Sequence, residues 1–240
     1  MRENFGWKKT VILFIFSCLI FLLVGVLFFT IGKNLISDNG EAVSAVSSLN
    51  YTVVIDAGHG GRDGGACVNG IFEKDVNLSV SRKVKEFLDL YNVNAVMTRN
   101  TDTLLCDENS KHKKRDDLYN RMRFTDSVES PIFLSIHMNK FPEEKYKGLQ
   151  VFFSPNNNDS EALSLLIQQN VKEYLQSENN RQVKKSTSQI YLLDRLLCPA
   201  VIVECGFLSN SEDLKNLTDE KYQNALAFVI ANSIIEFINI

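Results

Sequence analysis

The feature that most constrains this chain is a set of three short apolar runs, each leading into polar residues of the kind used in catalysis. The runs are rich in branched residues and lie at residues 53–55, 131–134 and 200–203. Such runs, bounded by turn residues, are typical of parallel strands buried on both faces of a sheet. Functional residues of open α/β sheets collect at the carboxyl ends of the strands. We therefore expect His59, His137 and Glu204 to meet at one rim of a sheet.

Apolar periodicity predicts that helices and strands largely alternate over residues 51–240. The predicted helices have apolar residues near helical spacing and cover residues 75–91, 116–128, 159–175 and 222–238. The further predicted strands are short and apolar and cover residues 93–97, 149–153 and 190–193. This alternation predicts an α/β fold with a mainly parallel twisted sheet and helices on both faces. The length suits one domain with its own core.

The beginning of the chain has a different character from the rest. Residues 11–31 form an apolar run that contains no charge. At ~1.5 Å per residue, a helix of this length crosses a hydrocarbon core of ~30 Å, so one N-terminal transmembrane helix is expected. Arg2, Lys8 and Lys9 precede the run, and the positive-inside rule then leaves everything after it outside the cytoplasm. A cleaved signal peptide is the alternative, although the run is longer than the ~7 to 15 residues of a signal core.

These features divide the chain into three parts. Residues 1–36 are predicted to be a cytoplasmic tip and a membrane anchor. Residues 37–50 mix Ser, Ala, Asn, Gly and acidic residues without a helical or strand period, which is typical of an exposed tether. Residues 51–240 then form a catalytic domain that is anchored to the membrane but lies outside the cytoplasm.

Charge and cysteine spacing exclude several classes of function. The net charge is -3, whereas a dedicated nucleic-acid binder usually has a basic face, so no nucleic-acid partner is expected. The one dense basic cluster, at residues 111–115, has acidic residues on both sides and is typical of a solvated loop. The cysteines show no CxxC spacing, which argues against a zinc knuckle or a redox pair.

Two imidazoles and two carboxylates in comparable positions suggest a metal hydrolase. Zinc hydrolases use three protein ligands and leave a fourth position for water, and His59, Glu73 and His137 provide such a set. Glu204 is then free to act as the general base. A structural role is the alternative for each residue alone, because Glu73 at a helix start would also complement the helix dipole.

Several motifs, in this order along the chain, together resemble the zinc-dependent N-acetylmuramoyl-L-alanine amidases of the type 3 class. The motifs are residues 55–61 (IDAGHGG), 73–78 (EKDVNL), Thr98-Arg99 with Asp102, Leu118 with Arg121, residues 135–139 (SIHMN) and residues 204–210 (ECGFLSN). The resemblance implies that His59, Glu73 and His137 bind Zn²⁺ and that Glu204 is the catalytic carboxylate. It implies peptidoglycan as the substrate, cleaved at the amide between the lactyl group of N-acetylmuramic acid and L-alanine.

A single N-terminal anchor followed by one such domain is similar to the sporulation amidases that help to make muramic-δ-lactam in the spore cortex. The chain departs from the family pattern at Ala57, where Pro is common, and at Thr125-Asp126, where Ala-Asn is usual. These changes touch no predicted ligand but could alter the fit of the substrate.

The stretch between His137 and Glu204 leaves little room for the autoinhibitory helix of some regulated members, so an activating protein partner is a further hypothesis. Two other functions stay open at this point. One is a peptidoglycan-binding protein with little activity, and the other is a zinc peptidase of another kind.

Overall fold

A computed structural model describes residues 51–240 of the chain. The predicted transmembrane anchor and tether, residues 1–50, lie outside these residues. Within the described part, no helix combines the length and the apolar character needed to cross a membrane.

Eight strands and six helices make up the described domain. The strands are β1 (Thr52–Ala57), β2 (Cys67–Val68), β3 (Ile71–Phe72), β4 (Ala95–Met97), β5 (Pro131–Asn139), β6 (Gln150–Phe153), β7 (Lys184–Lys185) and β8 (Ala200–Phe207). The helices are α1 (Glu73–Leu90), α2 (Lys113–Asp126), α3 (Asp159–Tyr174), α4 (Tyr191–Arg195), α5 (Ser211–Thr218) and α6 (Glu220–Ile238).

The main sheet has six strands in the order β4-β1-β5-β8-β6-β7, and β2 pairs with β3 in a small antiparallel hairpin. Every neighbouring pair in the main sheet is parallel except β6 and β8, which confirms the mainly parallel α/β prediction. The register sets His137 beside Glu204 on one side, and Gln150 beside Glu204 on the other. Three polar residues of neighbouring strands therefore stand in one row at the rim.

Helices cover both faces of the sheet, as predicted. The larger core lies under α1, α3 and α6 and includes the β8 residues Val201 and Val203. The smaller core lies under α2 and α4 and includes Ala200 and Ile202. Fully burying an aliphatic side chain of this size contributes about 1.5–3 kcal/mol, so the two cores fix the sheet between its helices. Because side chains alternate along a strand, Glu204 lies on the same face as Ile202, toward α2 and α4.

The strand predicted over residues 190–193 is wrong, because this segment forms helix α4. The helix buries Leu192 and Leu193 in the smaller core. A run of four apolar residues satisfies either a buried strand or one helical turn, so periodicity could not distinguish them. The hairpin of β2 and β3 and strand β7 were not predicted, since these strands have only two residues each. The eight-residue helix α5 was not predicted either.

Candidate metal centre

The first predicted ligand lies in a sharp turn that follows β1. His59 has φ 62°, and Gly60 and Gly61 have φ 138° and 53°. The left-handed conformation is uncommon for a residue with a Cβ, and surrounding contacts must hold it in place.

Two arginines hold this turn through its carbonyl groups. Arg99 donates from Nε to the carbonyl of Ala57 at 2.8 Å and from Nη2 to that of Gly58 at 3.0 Å. Arg121 donates from Nη1 to the carbonyl of Ala57 at 2.9 Å and from Nη2 to that of His59 at 2.7 Å. Because the three carbonyls all point at guanidinium groups, the backbone of residues 57–59 has little freedom to move.

A buried carboxylate, Asp56, anchors the same arrangement from within the sheet. It accepts hydrogen bonds from Thr98 Oγ1, Arg121 Nη1 and Ser135 Oγ, each at 2.6 Å. Burial by itself would raise the pKa of Asp56, but Arg121 and the two hydroxyl groups outweigh it and leave that pKa lowered. Asp117 completes the network by accepting from Arg121 Nε at 2.8 Å. Asp56 is therefore an ionised, fully partnered group that fixes Arg121.

The structure brings all three predicted metal ligands together. The Oε1 atom of Glu73 lies 3.2 Å from Nε2 of His59 and 2.9 Å from Nδ1 of His137. One donor atom from each residue lies within 4.8 Å of the others. His59 comes from the turn after β1, Glu73 from the first residue of α1, and His137 from β5.

Backbone amides orient the Glu73 carboxylate. Oε2 accepts from the amide of Ala66 at 2.8 Å, and Oε1 accepts from that of Met138 at 3.2 Å. Burial opposes ionisation, but hydrogen bonds and charge from His137 and His59 lower the pKa of Glu73 far below its usual range. The carboxylate is therefore ionised and pointed at the two imidazoles.

Asp63 lies behind His59, on the side away from Glu73. Its Oδ2 is 2.9 Å from Nδ1 of His59, a close contact that is poorly aligned for a hydrogen bond. Burial works to lower the pKa of His59, yet Glu73 and Asp63 together leave it raised. A carboxylate beside the second ring nitrogen is the partner that metal-binding histidines commonly have.

Two glycines leave room for the ligand side chains. A Cβ on Gly58 would lie 2.2 Å from Cε1 of His137, and a Cβ on Gly65 would lie 2.5 Å from Oε2 of Glu73. Any other residue at either position would displace a ligand.

The donor set fits a zinc ion. Two imidazole nitrogens and one carboxylate oxygen are a common zinc set in hydrolases, and ligand atoms of a tetrahedral ion stand about 3.3 Å apart. The separations of 3.2 Å and 2.9 Å from Glu73 Oε1 are close to that value. A cation would also replace the direct contacts between this carboxylate and the two imidazoles.

Glu204 lies at the same rim but outside the group of three. It is beside His137 in the register of β5 and β8. Its Oε2 atom is shielded from solvent and has no hydrogen-bond partner among residues 51–240. Burial raises the pKa of Glu204, and the charge of Glu73 adds to the effect, while His137 and His59 oppose it. A carboxyl group in this state is suited to taking up and releasing a proton.

A cleft of about 270 Å³ opens over these residues, with His59, His137 and Glu204 in its wall. Apolar residues also line the cleft: Leu118 of α2, Ile190, Tyr191 and Leu192 at the start of α4, and Ile202 of β8. The cleft therefore presents both imidazoles and the Glu204 carboxylate to the same space.

The sequence predicted the ligands and Glu204, but it did not reveal the roles of Asp63, Arg99 and Arg121. The two arginines were part of the family resemblance, without an assigned role. The sequence signal that could have identified Arg121 is its position among apolar residues that pack on the sheet, between Leu118 and Met122.

Comparisons with known proteins agree with this geometry. Residues 53–236 match the family model Amidase_3, described as N-acetylmuramoyl-L-alanine amidase. The chain is 34% identical over 188 residues to the germination-specific N-acetylmuramoyl-L-alanine amidase of Bacillus subtilis, covering 77% of this chain and 78% of that protein.

Solved structures agree as well. The CwlD amidase from Clostridioides difficile, in complex with the GerS lipoprotein, is 37% identical, with a TM-score of 0.74, and covers 78% of this chain and 98% of that one. The amidase AmiC2 of Nostoc punctiforme is 28% identical, with a TM-score of 0.69, and covers 80% of this chain and 98% of that one. The fold, the converging ligands and these matches together show that the chain belongs to the Amidase_3 family of N-acetylmuramoyl-L-alanine amidases.

Proposed function

We propose that this peptidoglycan amidase depends on zinc held by His59, Glu73 and His137, with Glu204 as its catalytic carboxylate. The observation that supports this most strongly is the approach of both imidazoles to one oxygen of Glu73, at 3.2 Å and 2.9 Å. The bond cleaved is the amide between the lactyl group of N-acetylmuramic acid and L-alanine.

Each residue has a distinct task in the hydrolysis. When bound, zinc supplies Lewis-acid polarisation of the scissile carbonyl and activation of water. Glu204 accepts the proton of the attacking water and then donates it to the amine of L-alanine as the C–N bond breaks. The raised pKa of Glu204 favours both proton transfers: it makes the carboxylate a stronger base toward water, and it lets the carboxyl group keep the proton until the amine accepts it. Apolar residues of α2 and α4 line the same cleft as these reacting groups.

The test is to digest purified peptidoglycan with the full-length protein and to measure new amino termini of L-alanine. Wild-type protein loaded with zinc should release them, and the Glu204→Ala variant, with equal zinc bound, should not. Equal release by the two proteins would contradict the role of Glu204. Cleavage at a bond other than lactyl-alanine would instead indicate a different zinc peptidase.

The matching relatives also support a narrower role in the spore. A germination-specific amidase is 34% identical to this chain, and the proposed task is removal of stem peptides before muramic-δ-lactam forms in the cortex. Deletion of the gene should abolish muramic-δ-lactam in purified cortex, measured by mass spectrometry of muropeptides. Normal lactam content in the deletion strain would contradict this role.

A protein partner belongs to the same proposal. A relative that is 37% identical was solved in complex with a lipoprotein, which supports activation by a separate protein. The purified full-length protein should then show low activity that rises when its partner is added. Full activity without any partner would contradict the requirement.

Location outside the cytoplasm is also proposed, on the basis of the uncharged apolar run at residues 11–31. The full-length protein should sediment with membranes, and protease added to intact protoplasts should digest its catalytic domain. Recovery in the soluble fraction, or protection of the domain from protease, would contradict this location.

A further inference from the structure

A second cavity, of about 350 Å³, lies near the end of β8 and is separate from the catalytic cleft. Its wall includes Gly148, Asn179, Arg181 and Asp213. Its size is within the range of small-molecule sites, which are about 300–1,000 Å³. Gly148 shortly precedes β6, and Asp213 is in α5, directly after β8, so the cavity lies at the same rim of the sheet as the metal centre.

Arg181 is held rigidly in this cavity but does not use all of its donors. Its Cζ atom lies 4.8 Å from the ring centre of Phe207, and its Nη2 donates to Oε1 of Gln150 at 2.7 Å. Its Nε is shielded from solvent and lacks a hydrogen-bond partner within residues 51–240. Because Nε is shielded, a ligand in the cavity does not reach it. The Nη1 group, in contrast, makes no hydrogen bond with a described residue and is not shielded from solvent, so it is free to donate to an anionic ligand.

Asp213 provides the opposite charge in the same cavity. Its Oδ2 accepts from the amides of Gly148 and Phe207, both at 2.8 Å, which fixes the carboxylate. Its Oδ1 makes no hydrogen bond with a described residue. At the rim, Lys147 and Glu212 pair with each other at 2.7 Å. One fixed cation and one fixed anion therefore face the cavity, which suits a ligand with a carboxylate and an ammonium group.

The distance from the catalytic carboxylate limits which part of the substrate can reach this cavity. Phe207, under Arg181, pairs with Asn139, two residues along β5 from His137, because the register of β5 and β8 shifts after Glu204; this corresponds to about 7 Å along the sheet. The third residue of an extended peptide also lies about 7 Å from the first. The stem peptide begins with L-alanine at the scissile bond, and its third residue is a diamino acid.

We propose that this cavity binds the far end of a diaminopimelate at the third position of the stem peptide, with its carboxylate on Arg181 and its ammonium group on Asp213. The inference rests on the proposed peptidoglycan amidase function and specifies its substrate. A lysine at the same position has the ammonium group but no carboxylate, and an amidated diaminopimelate has lost the negative charge. Both should be poorer substrates.

The experiment compares three synthetic muramyl tripeptides that differ only at the third residue: diaminopimelate, its amide and lysine. The full-length, zinc-loaded protein should cleave the diaminopimelate substrate with a kcat/KM roughly tenfold or more above the other two. The Arg181→Gln variant should lose this preference, because its kcat/KM should fall for the diaminopimelate substrate and stay unchanged for the other two. Arg123→Gln is the matched control, because Arg123 is an exposed arginine of α2 that lies over the ring of Tyr119.

The outcomes separate this inference from the proposed function. Equal cleavage of all three substrates would overturn the subsite while leaving the amidase intact, as would a preference that survives in Arg181→Gln. If no substrate is cleaved, calorimetric titration of the protein with the diaminopimelate tripeptide tests the subsite separately. Binding that Arg181→Gln weakens would support the subsite and contradict the activity, and no binding would overturn the subsite and the proposed function together.

If Arg181→Gln does not fold, the wild-type protein alone tests the inference. Faster cleavage of the diaminopimelate tripeptide than of its amidated form supports the subsite, and equal cleavage overturns it. Arg181→Lys should retain part of the preference, since it keeps the charge but not the forked donors. Free diaminopimelate should compete weakly with the tripeptide. Tight binding of the free amino acid, without any preference among the tripeptides, would overturn the stem peptide as the ligand.

Discussion

At the scale of single residues, the centre is organised around Glu73, whose carboxylate contacts both histidines and two backbone amides. These contacts come from three segments of the chain: the turn after β1, the residue before β2, and β5. The pKa of Glu73 is strongly lowered by the two histidines despite its burial, so the group is a permanent negative charge. Glu204, in contrast, has an Oε2 with no partner among the described residues and a raised pKa. Two carboxylates at the same rim of the sheet thus have different chemistry, one suited to a cation and one to a proton.

Replacing Glu204 by Gln should separate catalysis from folding. Loss of a general base typically lowers the rate by about 10²- to 10⁴-fold, so kcat on peptidoglycan should fall by that amount. Zinc affinity and the free energy of unfolding should stay unchanged or rise, because the substitution removes a charge without a partner. Peptidoglycan digestion, zinc titration and urea unfolding measure the three quantities. A Gln variant that retains activity, or that fails to bind zinc, would contradict the assigned role.

Replacing Gly58 by Ala should crowd His137 and weaken metal binding. The added Cβ would lie 2.2 Å from the imidazole, which must then move away from Glu73. We expect zinc affinity to fall roughly 10- to 100-fold, measured by competition with a chromophoric chelator. Gly70→Ala is the matched control, because its Cβ meets no atom within 4 Å and only its φ of +80° is strained. Similar zinc affinities in the two variants would show that His137 is not a ligand.

His59, His137 and Glu204 could be placed at one rim from sequence because each one follows or ends an apolar strand, whereas Glu73 lies at a helix start and was assigned with the help of the family resemblance. The atoms they use could not be predicted in this way. The approach of His137 through Nδ1 and of His59 through Nε2 depends on side-chain rotation and on the left-handed backbone at His59. Neither property has a pattern that can be read along the chain.

At the scale of elements, the turn after β1 is held by residues from two other segments. Arg99 follows β4 and Arg121 comes from α2, and both donate to the carbonyl of Ala57. Asp56 and Asp117 fix Arg121 from two directions. The position of His59 therefore depends on the correct docking of α2 and of the segment after β4 against β1.

Arg121→Met should reveal this dependence. Removing one partner from a buried ion network leaves its carboxylates uncompensated, at a cost of about 3–5 kcal/mol in the free energy of unfolding. Arg123→Met, two residues along the same helix at an exposed position, should change it by less than about 0.5 kcal/mol. Urea unfolding of both variants is the measurement. A small effect at Arg121 would mean that the network does not stabilise the turn.

Asp56 should make the stability of the fold depend on pH in the acid range. Its pKa is lowered in the folded protein, chiefly by Arg121 acting against burial, from an ordinary value of 3.8. Its ionisation therefore stabilises the fold above pH 3.8, and this contribution is lost as the pH falls further, toward the folded pKa. The Asp56→Asn variant should be less stable than the wild type at pH 7, and the difference should narrow below pH 3.8. A difference in unfolding free energy that stays constant down to acid unfolding would contradict this.

The four long helices and five of the six strands of the main sheet were predicted, because the helices show an apolar period over many residues and the five strands contain short apolar runs. The failure at residues 190–193 has a physical cause. Leu192 and Leu193 needed burial against the sheet, and a single helical turn met that need as well as a strand would have done. The two-residue strands are too short to show a period, so tertiary contacts alone define them.

At the scale of the whole molecule, one mainly parallel sheet positions the site residues, and helices pack on both faces of this sheet. Three neighbouring strands, β1, β5 and β8, end at the same rim of the sheet. His59 in the turn after β1, His137 and Glu204 therefore lie at this rim. The α/β class followed from the alternation of helices and strands. The antiparallel direction of β6 could not be predicted in this way, because the direction of a strand depends on how it is connected to its neighbours and not on its amino-acid composition. This placement sets Gln150 beside Glu204, and Arg181 bonds to Gln150.

Metal removal from the full-length protein is the most direct test of the account as a whole. The protein should bind one zinc ion per chain, lose peptidoglycan cleavage when a chelator removes it, and regain cleavage with one equivalent of zinc. A ligand that binds only the folded state raises the free energy of unfolding by about 4 kcal/mol at a thousand times its Kd, so zinc should also raise the thermal midpoint. The His137→Ala variant should bind zinc weakly and show neither effect. Full cleavage by metal-free protein, or unchanged zinc binding in His137→Ala, would contradict the assignment of His59, Glu73 and His137 as the catalytic metal site.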